Sequence, residues 1–140
     1  MASVRKERLI EVPAGKAWDA VRDVGAVHTR VAPGFVRECR MDGEARVVTF
    51  GNGLVARELI VDVDDMARRL VWSARSERLE HHNASLHVTD EGTGSDGRAR
   101  CRLVWIADVL PHEAAKAVGA MMEEAMAVMR KTLESHSGAA

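Results

Sequence analysis

The sequence predicts an α+β fold: one antiparallel sheet of seven strands, two short helices near its start and one long helix at its end. Three observations carry that expectation. The strand-like run Arg8-Leu9-Ile10-Glu11-Val12 stops at Pro13, after which apolar residues recur at helical spacing. From Phe35 to Val109 the chain reads as strands broken by turn residues, and after Pro111 the period returns to that of a helix as far as Leu133. A sheet covered by one long apolar helix has an enclosed apolar pocket as its natural product, and function is expected there.

The first strand, Val4 to Val12, ends at Pro13, which cannot donate to a ladder but suits the first turn of a helix. Ala14, Ala17, Trp18 and Val21 share one face of that helix, which lays Trp18 on the sheet and ends near Asp23 and Gly25. A second helical turn is expected over Ala26 to Arg30, before Ala32-Pro33-Gly34 breaks it. Strands Phe35–Met41 and Ala45–Phe50 are joined at Asp42-Gly43, a dipeptide that tolerates positive φ in tight hairpins. Gly51-Asn52-Gly53 makes the next turn. Strands Leu54–Val63, Arg69–Ala74, Glu80–Thr89 and Arg98–Val109 follow, separated by Asp64-Asp65, by Ser76-Glu77-Arg78 and by the Gly-rich stretch 92–97.

The last helix, His112 to Glu134, is a rod of about 35 Å. Its apolar stripe runs through Ala114, Val118, Met121, Met122, Ala125, Met126, Met129 and Leu133, which the sheet must cover. The small polar tail Ser135–Ala140 is expected to fray.

Composition narrows the function classes. At 140 residues the chain is one domain, residues 1–140, with a single core. Its 20 Lys and Arg against 21 Asp and Glu leave no net field that would draw nucleic acid or anionic lipid. Cys39 and Cys101 have no CxxC spacing and read as free thiols of a reducing compartment. The N-terminus lacks an apolar signal core, and no run approaches the roughly 18 apolar residues of a spanning helix. A cytoplasmic, soluble protein without membrane insertion is therefore expected.

Side chains alternate along a strand, so faces can be assigned. In the last strand Cys101, Leu103, Trp105, Ala107 and Val109 point inward, away from Arg98, Arg100 and Arg102. Ala84, Leu86 and Val88 point inward and carry His82 with them, turning His81, Asn83 and His87 out. Phe35, Cys39 and Met41 share a face with Arg37, an arginine that needs a partner on an apolar face. Glu58 is available, although both faces of its strand contain aliphatics and the alternation alone does not choose between them.

The strand followed by Pro13-Ala14, Trp18, Val21 and Asp23, the hairpins, Arg57-Glu58-Leu59-Ile60 leading to Asp64-Asp65, the Arg69–Trp72 and Leu103–Trp105 strands and the final helix together resemble the START-like, or Bet v 1-like (SRPBCC), superfamily. The branch most resembled is that of the polyketide cyclases/dehydrases, and the likeness covers nearly the whole chain. It implies a helix-grip fold, in which a curved sheet grips the C-terminal helix around a cavity for lipids, polyketides, sterols or plant hormones. In the plant abscisic acid receptors of this superfamily, a basic residue at the position resembling Arg37 meets the hormone's carboxylate, and the position resembling Glu58 is also a glutamate facing the cavity. The turn Gly51-Asn52-Gly53 resembles the receptors' gate and Ser76–Leu79 their latch, but the gate proline is absent and the latch connection is two residues shorter. These departures weigh against a receptor-type partner switch.

Arg37 and Glu58 are thus candidate polar anchors in an apolar pocket; a structural ion pair is the equal alternative. Val48, Phe50, Trp72 and Trp105 are the candidate wall from the sheet, and Met122 and Met126 the candidate wall from the helix, where methionine suits variable guests as well as plain core packing. His81 and His82 point to opposite faces and have no third ligand at recognisable spacing, so no metal is expected. His28 follows the first helix and could approach the mouth. Ser73, Ser76 and Ser85 lack a nucleophile elbow, and no P-loop or dinucleotide fingerprint occurs, so neither a hydrolase triad nor a cofactor is expected.

Two function classes stand. One is the binding of a small apolar molecule in the cavity. The alternative is a polyketide aromatase/cyclase, in which Glu58 and His82 are the candidate catalytic acid/base groups and Arg37 polarises a carbonyl. The chain has no tyrosine, which removes one common phenolic acid.

Overall fold

A computed structural model describes residues 1–138. Strand β1 (Ala2–Ile10) leads through Pro13 into helix α1 (Ala14–Val21), whose Ala14, Ala17, Trp18 and Val21 are buried as the spacing requires. The second helical turn is tighter and then wider than an α-helix. A 3₁₀ turn, Val24–Ala26, runs into a π turn, Val27–Val31, closed by the Ala32 N–H donating to the Val27 carbonyl at 2.8 Å. Strands β2 (Val36–Asp42), β3 (Ala45–Phe50), β4 (Val55–Asp64), β5 (Arg69–Arg75), β6 (His81–Thr93) and β7 (Ala99–Leu110) follow. The β2–β3 hairpin places Gly43 at φ 62°, the left-handed conformation that glycine adopts without a Cβ clash. After Pro111 a 3₁₀ turn, His112–Ala114, opens helix α2 (Ala115–Gly138). Helix α2 continues through Ser135–Gly138, where a frayed tail was expected; the rest of that expectation lies outside the described residues.

All seven strands form one antiparallel sheet in the order β1-β7-β6-β5-β4-β3-β2. Register breaks in β2 between Val36 and Glu38, in β4 between Ile60 and Asp62, and in β6 between Asp90 and Thr93 interrupt the ladder, and bulges of this kind bend a strand and increase its twist. The result is the curved sheet of a helix-grip fold. A single row of inward residues, Val4–Ala107–Ala84–Trp72–Ile60, crosses five strands. Ala84 and Ala107 offer only methyl groups there, and the large side chains of Trp72 and Trp105 meet across β6 with ring centroids 5.9 Å apart.

Helix α2 lies on the inner face against β1. Val118, Met122, Ala125, Met126, Met129 and Leu133 are buried, with Met122, Ala125 and Met126 fully so. Gly119 faces β1, where a Cβ would make ordinary contact with Val4 Cγ1 at 3.4 Å. Polar fastenings hold the same edge: Arg8 and Lys6 both pair with Glu123, and the Glu11 N–H donates to Glu134 Oε2 at 2.8 Å. At the other side, α1 packs on β6 and β7, and the Trp18 indole N–H donates to Asp65 Oδ1 at 2.9 Å in the β4–β5 turn. Arg22 shares that carboxylate, and its hydrogen bond, together with Trp18's, lowers the Asp65 pKa.

Cys39 and Cys101 are free thiols, and burial pushes Cys101 up to about 11. No helix among the described residues is long and apolar enough to cross a membrane.

Leu103 is fully buried, whereas Met66 is almost fully exposed in the β4–β5 turn. Leu103→Ala is expected to lower unfolding free energy by about 2–5 kcal/mol, and Met66→Ala by no more than about 0.5 kcal/mol, in urea titrations followed by circular dichroism. Equal, small effects would show that the inner face is not a packed core.

Candidate functional site

The hydrophilic centre of the inner face is an ion pair between Arg46 and Glu58. These residues stand opposite each other in the β3–β4 hairpin, and Arg46 Nε donates to Glu58 Oε1 at 2.7 Å. Both side chains are buried, 6% and 11% exposed. Arg46 also donates from Nη1 to the Val24 carbonyl at 3.0 Å and lies over the Trp72 ring, 5.8 Å from its centroid. Such a pair is tolerable away from water because each charge meets the other and one further guanidinium donor finds a carbonyl.

Arg37 was expected to face inward and meet Glu58; it is exposed, and Arg46 takes that partner. The reason is the break between Val36 and Glu38. Arg37 is the residue without a partner in the register, so Val36 turns in, Arg37 turns out, and Cys39 faces Val48 beyond the bulge. Parity counted through an unbroken strand therefore fails at this one position. Arg46 escaped the sequence reading, although a signal existed: it shares the parity of Val48 and Phe50, both assigned to the inner wall.

His82 is buried, as alternation predicts, with His81 exposed on the other face. Its ring Nδ1 accepts the Ala74 backbone N–H at 3.0 Å, and its carbonyl accepts from Ser73 Oγ at 2.6 Å. Ala74 is in turn the cross-strand partner of Glu58, so Arg46, Glu58 and His82 fall along one line across β3 to β6. Burial lowers the His82 pKa, with the Glu58 carboxylate opposing that shift. A ring that accepts at Nδ1 and is neutral carries its proton on Nε2, which makes that nitrogen a hydrogen-bond donor.

Trp72 and Trp105 are both buried, and the Trp105 indole N–H has no acceptor. Val48 is fully buried, and Phe50 is half-buried in an edge-to-face contact with Phe35, their centroids 5.7 Å apart. The Gly51 turn docks beside them: its N–H donates to the Phe35 carbonyl at 2.9 Å, and a Cβ at Gly51 would lie 2.5 Å from the Gly34 oxygen. Met122 and Met126 close the space from α2.

The two best-formed hollows differ from the enclosed pocket that was expected. One, of about 310 Å³, opens at the surface beside His28, Cys39, Arg40 and Thr49; the other, of about 390 Å³, opens beside Pro33, Val128, Lys131 and Thr132. Between sheet and helix, the indoles of Trp72 and Trp105 are buried together with Met122, Met126 and Met129 of α2. Among the described residues no group of three His, Cys, Asp or Glu side chains could hold a metal ion.

A curved seven-stranded sheet gripping a C-terminal helix, with a small polar group set into its inner face, defines a START-like, Bet v 1-like protein. The chain belongs to the polyketide cyclase/dehydrase and lipid transport family, whose model matches residues 1–134. Among solved structures it is similar to a Thermobifida fusca protein, at 28% identity and a TM-score of 0.71, covering 99% of this chain and 94% of that one. A START superfamily protein from Mycobacterium smegmatis is similar at 10% identity and a TM-score of 0.68, covering 97% of each chain. A Thalictrum norcoclaurine synthase point mutant, in complex with a transition-state analogue, is similar at 17% identity and a TM-score of 0.66, covering 96% of this chain and 95% of that one. These last two likenesses concern the fold. Comparison with curated proteins finds no match.

Breaking the buried pair from one side leaves an uncompensated charge. Arg46→Leu or Glu58→Leu alone is expected to cost about 3–5 kcal/mol, and the double substitution markedly less than the sum. A urea-denaturation double-mutant cycle checks this, and additive losses would show the two charges to be uncoupled.

His82 supplies the pH dependence. Its folded pKa lies below the ordinary histidine value, so the unfolded chain takes up the proton first as pH falls. Its contribution to stability is therefore complete above about pH 6.5 and is lost as pH drops from there toward the folded value. His82→Gln is expected to flatten the dependence of the urea midpoint between about pH 7.5 and about pH 5; an unchanged slope would remove His82 from the account.

Proposed function

We propose that the protein binds a small apolar molecule, of lipid or polyketide type, between the inner face of the sheet and α2. Membership of a family described by cyclisation, dehydration and lipid transport supports this reading. The observation that carries it is the line of Arg46, Glu58 and His82, buried in an otherwise apolar interior and flanked by Trp72 and Trp105. A few convergent polar groups in apolar walls is the composition of a small-molecule site. Room for the guest comes from Met122, Met126 and Met129, whose unbranched side chains repack at lower cost than branched ones.

Binding takes precedence over general acid/base chemistry because of the way His82 is held. Its Nδ1 is occupied by the Ala74 N–H, so the ring cannot take a proton there without turning. Glu58 has its Oε1 engaged by Arg46. A cyclase or dehydratase reading, with Glu58 and His82 as the proton-transfer pair, requires the His82 Nδ1 contact to open when substrate enters and Glu58 to act through its other oxygen. Arg37, exposed on β2, has no part in either reading as the site now stands.

Native mass spectrometry of protein purified from its own host is expected to reveal a co-purifying, chemically unaltered apolar molecule. In vitro, the neutral apolar dye N-phenylnaphthylamine is expected to bind, and at a concentration of about a hundred times its Kd to stabilise the fold by about 2.7 kcal/mol. Met126→Trp, filling the space beside α2, is expected to weaken that binding about tenfold while the far-UV spectrum is retained. Absence of any bound mass together with absence of dye binding would overturn the reading. Turnover of a poly-keto substrate lost in Glu58→Gln or His82→Ala would move it to the enzyme.

A further inference from the structure

Three groups of the interior decide what kind of guest it suits, if the binding reading above holds. The first is Trp105. Its side chain lies on the inner face of β7, 6% exposed, and its indole N–H meets no acceptor in the protein. A buried donor left without a partner is costly, comparable to losing a hydrogen bond outright, and natural structures rarely retain one without a use. Trp18 shows the contrast, its indole N–H donating to Asp65.

The second group is His82, whose accepted hydrogen bond at Nδ1 makes the neutral ring a second donor through Nε2. The third is the Arg46–Glu58 pair. Its positive charge is already matched by Glu58, and Arg46 spends a further donor on the Val24 carbonyl. Lys6 and Arg8, the cations nearest α2 on β1, are both paired with Glu123. Lys6 and Arg8 share that one carboxylate at the partly exposed β1 edge, whereas the one cation among the buried described residues, Arg46, is matched by Glu58, so the buried part of the inner face presents the Trp105 donor with no uncompensated cation beside it. A carboxylate placed there would be a buried charge with no counter-charge, whereas a ketone, ester or ether oxygen would satisfy a donor that now has nothing.

We propose that Trp105 Nε1–H is the specificity-determining donor of this interior and that the guest is an uncharged apolar molecule carrying a carbonyl or ether oxygen, not a fatty-acid-like anion. The hydrogen bond forms only in the complex, so its gain is not offset by a bond broken within the protein. Discrimination for an oxygen at this position is accordingly about tenfold, the ordinary worth of one buried hydrogen bond.

Three matched dyes test the proposal: the neutral ketone Prodan, its deoxo analogue with a methylene in place of the carbonyl, and an analogue with a carboxylate in place of the propionyl group. The intact protein is expected to bind Prodan about tenfold more tightly than the deoxo analogue, and the carboxylate no more tightly than the deoxo analogue. Trp105→Phe, which keeps an aromatic ring but cannot donate, is expected to erase the preference for the ketone over the deoxo analogue, whatever the smaller ring does to affinity for both. In the wild-type protein, one of three indole proton signals is expected to move downfield when Prodan is added, and to be absent in Trp105→Phe. That NMR measurement decides the matter should the variant fail to fold. Equal affinity for ketone and deoxo dyes, a preference that survives in Trp105→Phe, or an indole spectrum that Prodan leaves unchanged would overturn the donor assignment and leave interior binding standing. Tighter binding of the carboxylate would overturn the neutrality of the guest. If none of the dyes binds, interior binding itself fails and this inference with it.

Discussion

The pairing of Arg46 with Glu58 constrains the whole polar end of the molecule, because neither charge can remain buried without the other. Their positions follow from the β3–β4 hairpin, which sets them directly opposite across the ladder. The guanidinium has donors to spare, and the Val24 carbonyl takes one of them. That bond holds the 3₁₀ turn after α1 over the β2–β3 end of the sheet, where Gly25 lies close to the Met41 side chain, a Cβ there falling 3.3 Å from Met41 Cγ. The stacked face of Trp72 completes the shell. One cross-strand pair thus fixes the position of a connecting segment and the orientation of an interior aromatic ring, which is more than its modest net contribution to stability suggests.

Along the strands the inner face then divides into two regions. Toward α1 it is wholly apolar: Ile10, Cys101, Leu103 and Val88 are buried to 1% exposure or less, and the helix lies on β6 and β7. Farther along, in register with Ala74, the row becomes Arg46, Glu58 and the His82 ring, with Trp72 one inward position away. The tryptophans stand at the border, which is where amphipathic rings with one polar atom belong. A guest lying on this face would meet hydrocarbon at one end and donors at the other.

Most of this architecture was legible because its causes are local. β1 stops at Ile10, shortly before Pro13 opens α1, Gly43 turns tightly between Asp42 and Ala45, and alternation in β6 and β7 places His82, Trp105 and their neighbours on the inner side, where they are found. The family likeness drawn from the same residues agrees with the family model that matches the chain. What escaped was non-local. A bulge adds a residue without any compositional signal, and the one between Val36 and Glu38 inverted the face of Arg37. Arg46 was assigned no role because its strand was read for its aliphatics, yet placing Val48 and Phe50 inward already required Arg46 to follow them. Pairing across the Gly51-Asn52-Gly53 turn would then have set it opposite Glu58. The interior's fullness was illegible for a different reason, since periodicity says which side chains point inward and nothing about whether they leave space.

That fullness is compatible with a binding role because the helix is not held by its methionines alone. Glu123 is gripped by Lys6 and Arg8, Glu134 caps the free N–H of Glu11, and Gly119 faces Val4, all along the β1 edge. These contacts survive if Met122, Met126 and Met129 change rotamer, because none of them passes through a methionine. The polar row is fastened independently, to β3, β4 and the Val24 carbonyl. Between two rigid margins, then, lies a band of unbranched side chains whose rearrangement breaks no hydrogen bond and exposes no charge. A closed interior of that construction can yield to a guest locally, at the cost of apolar contacts that the guest itself restores.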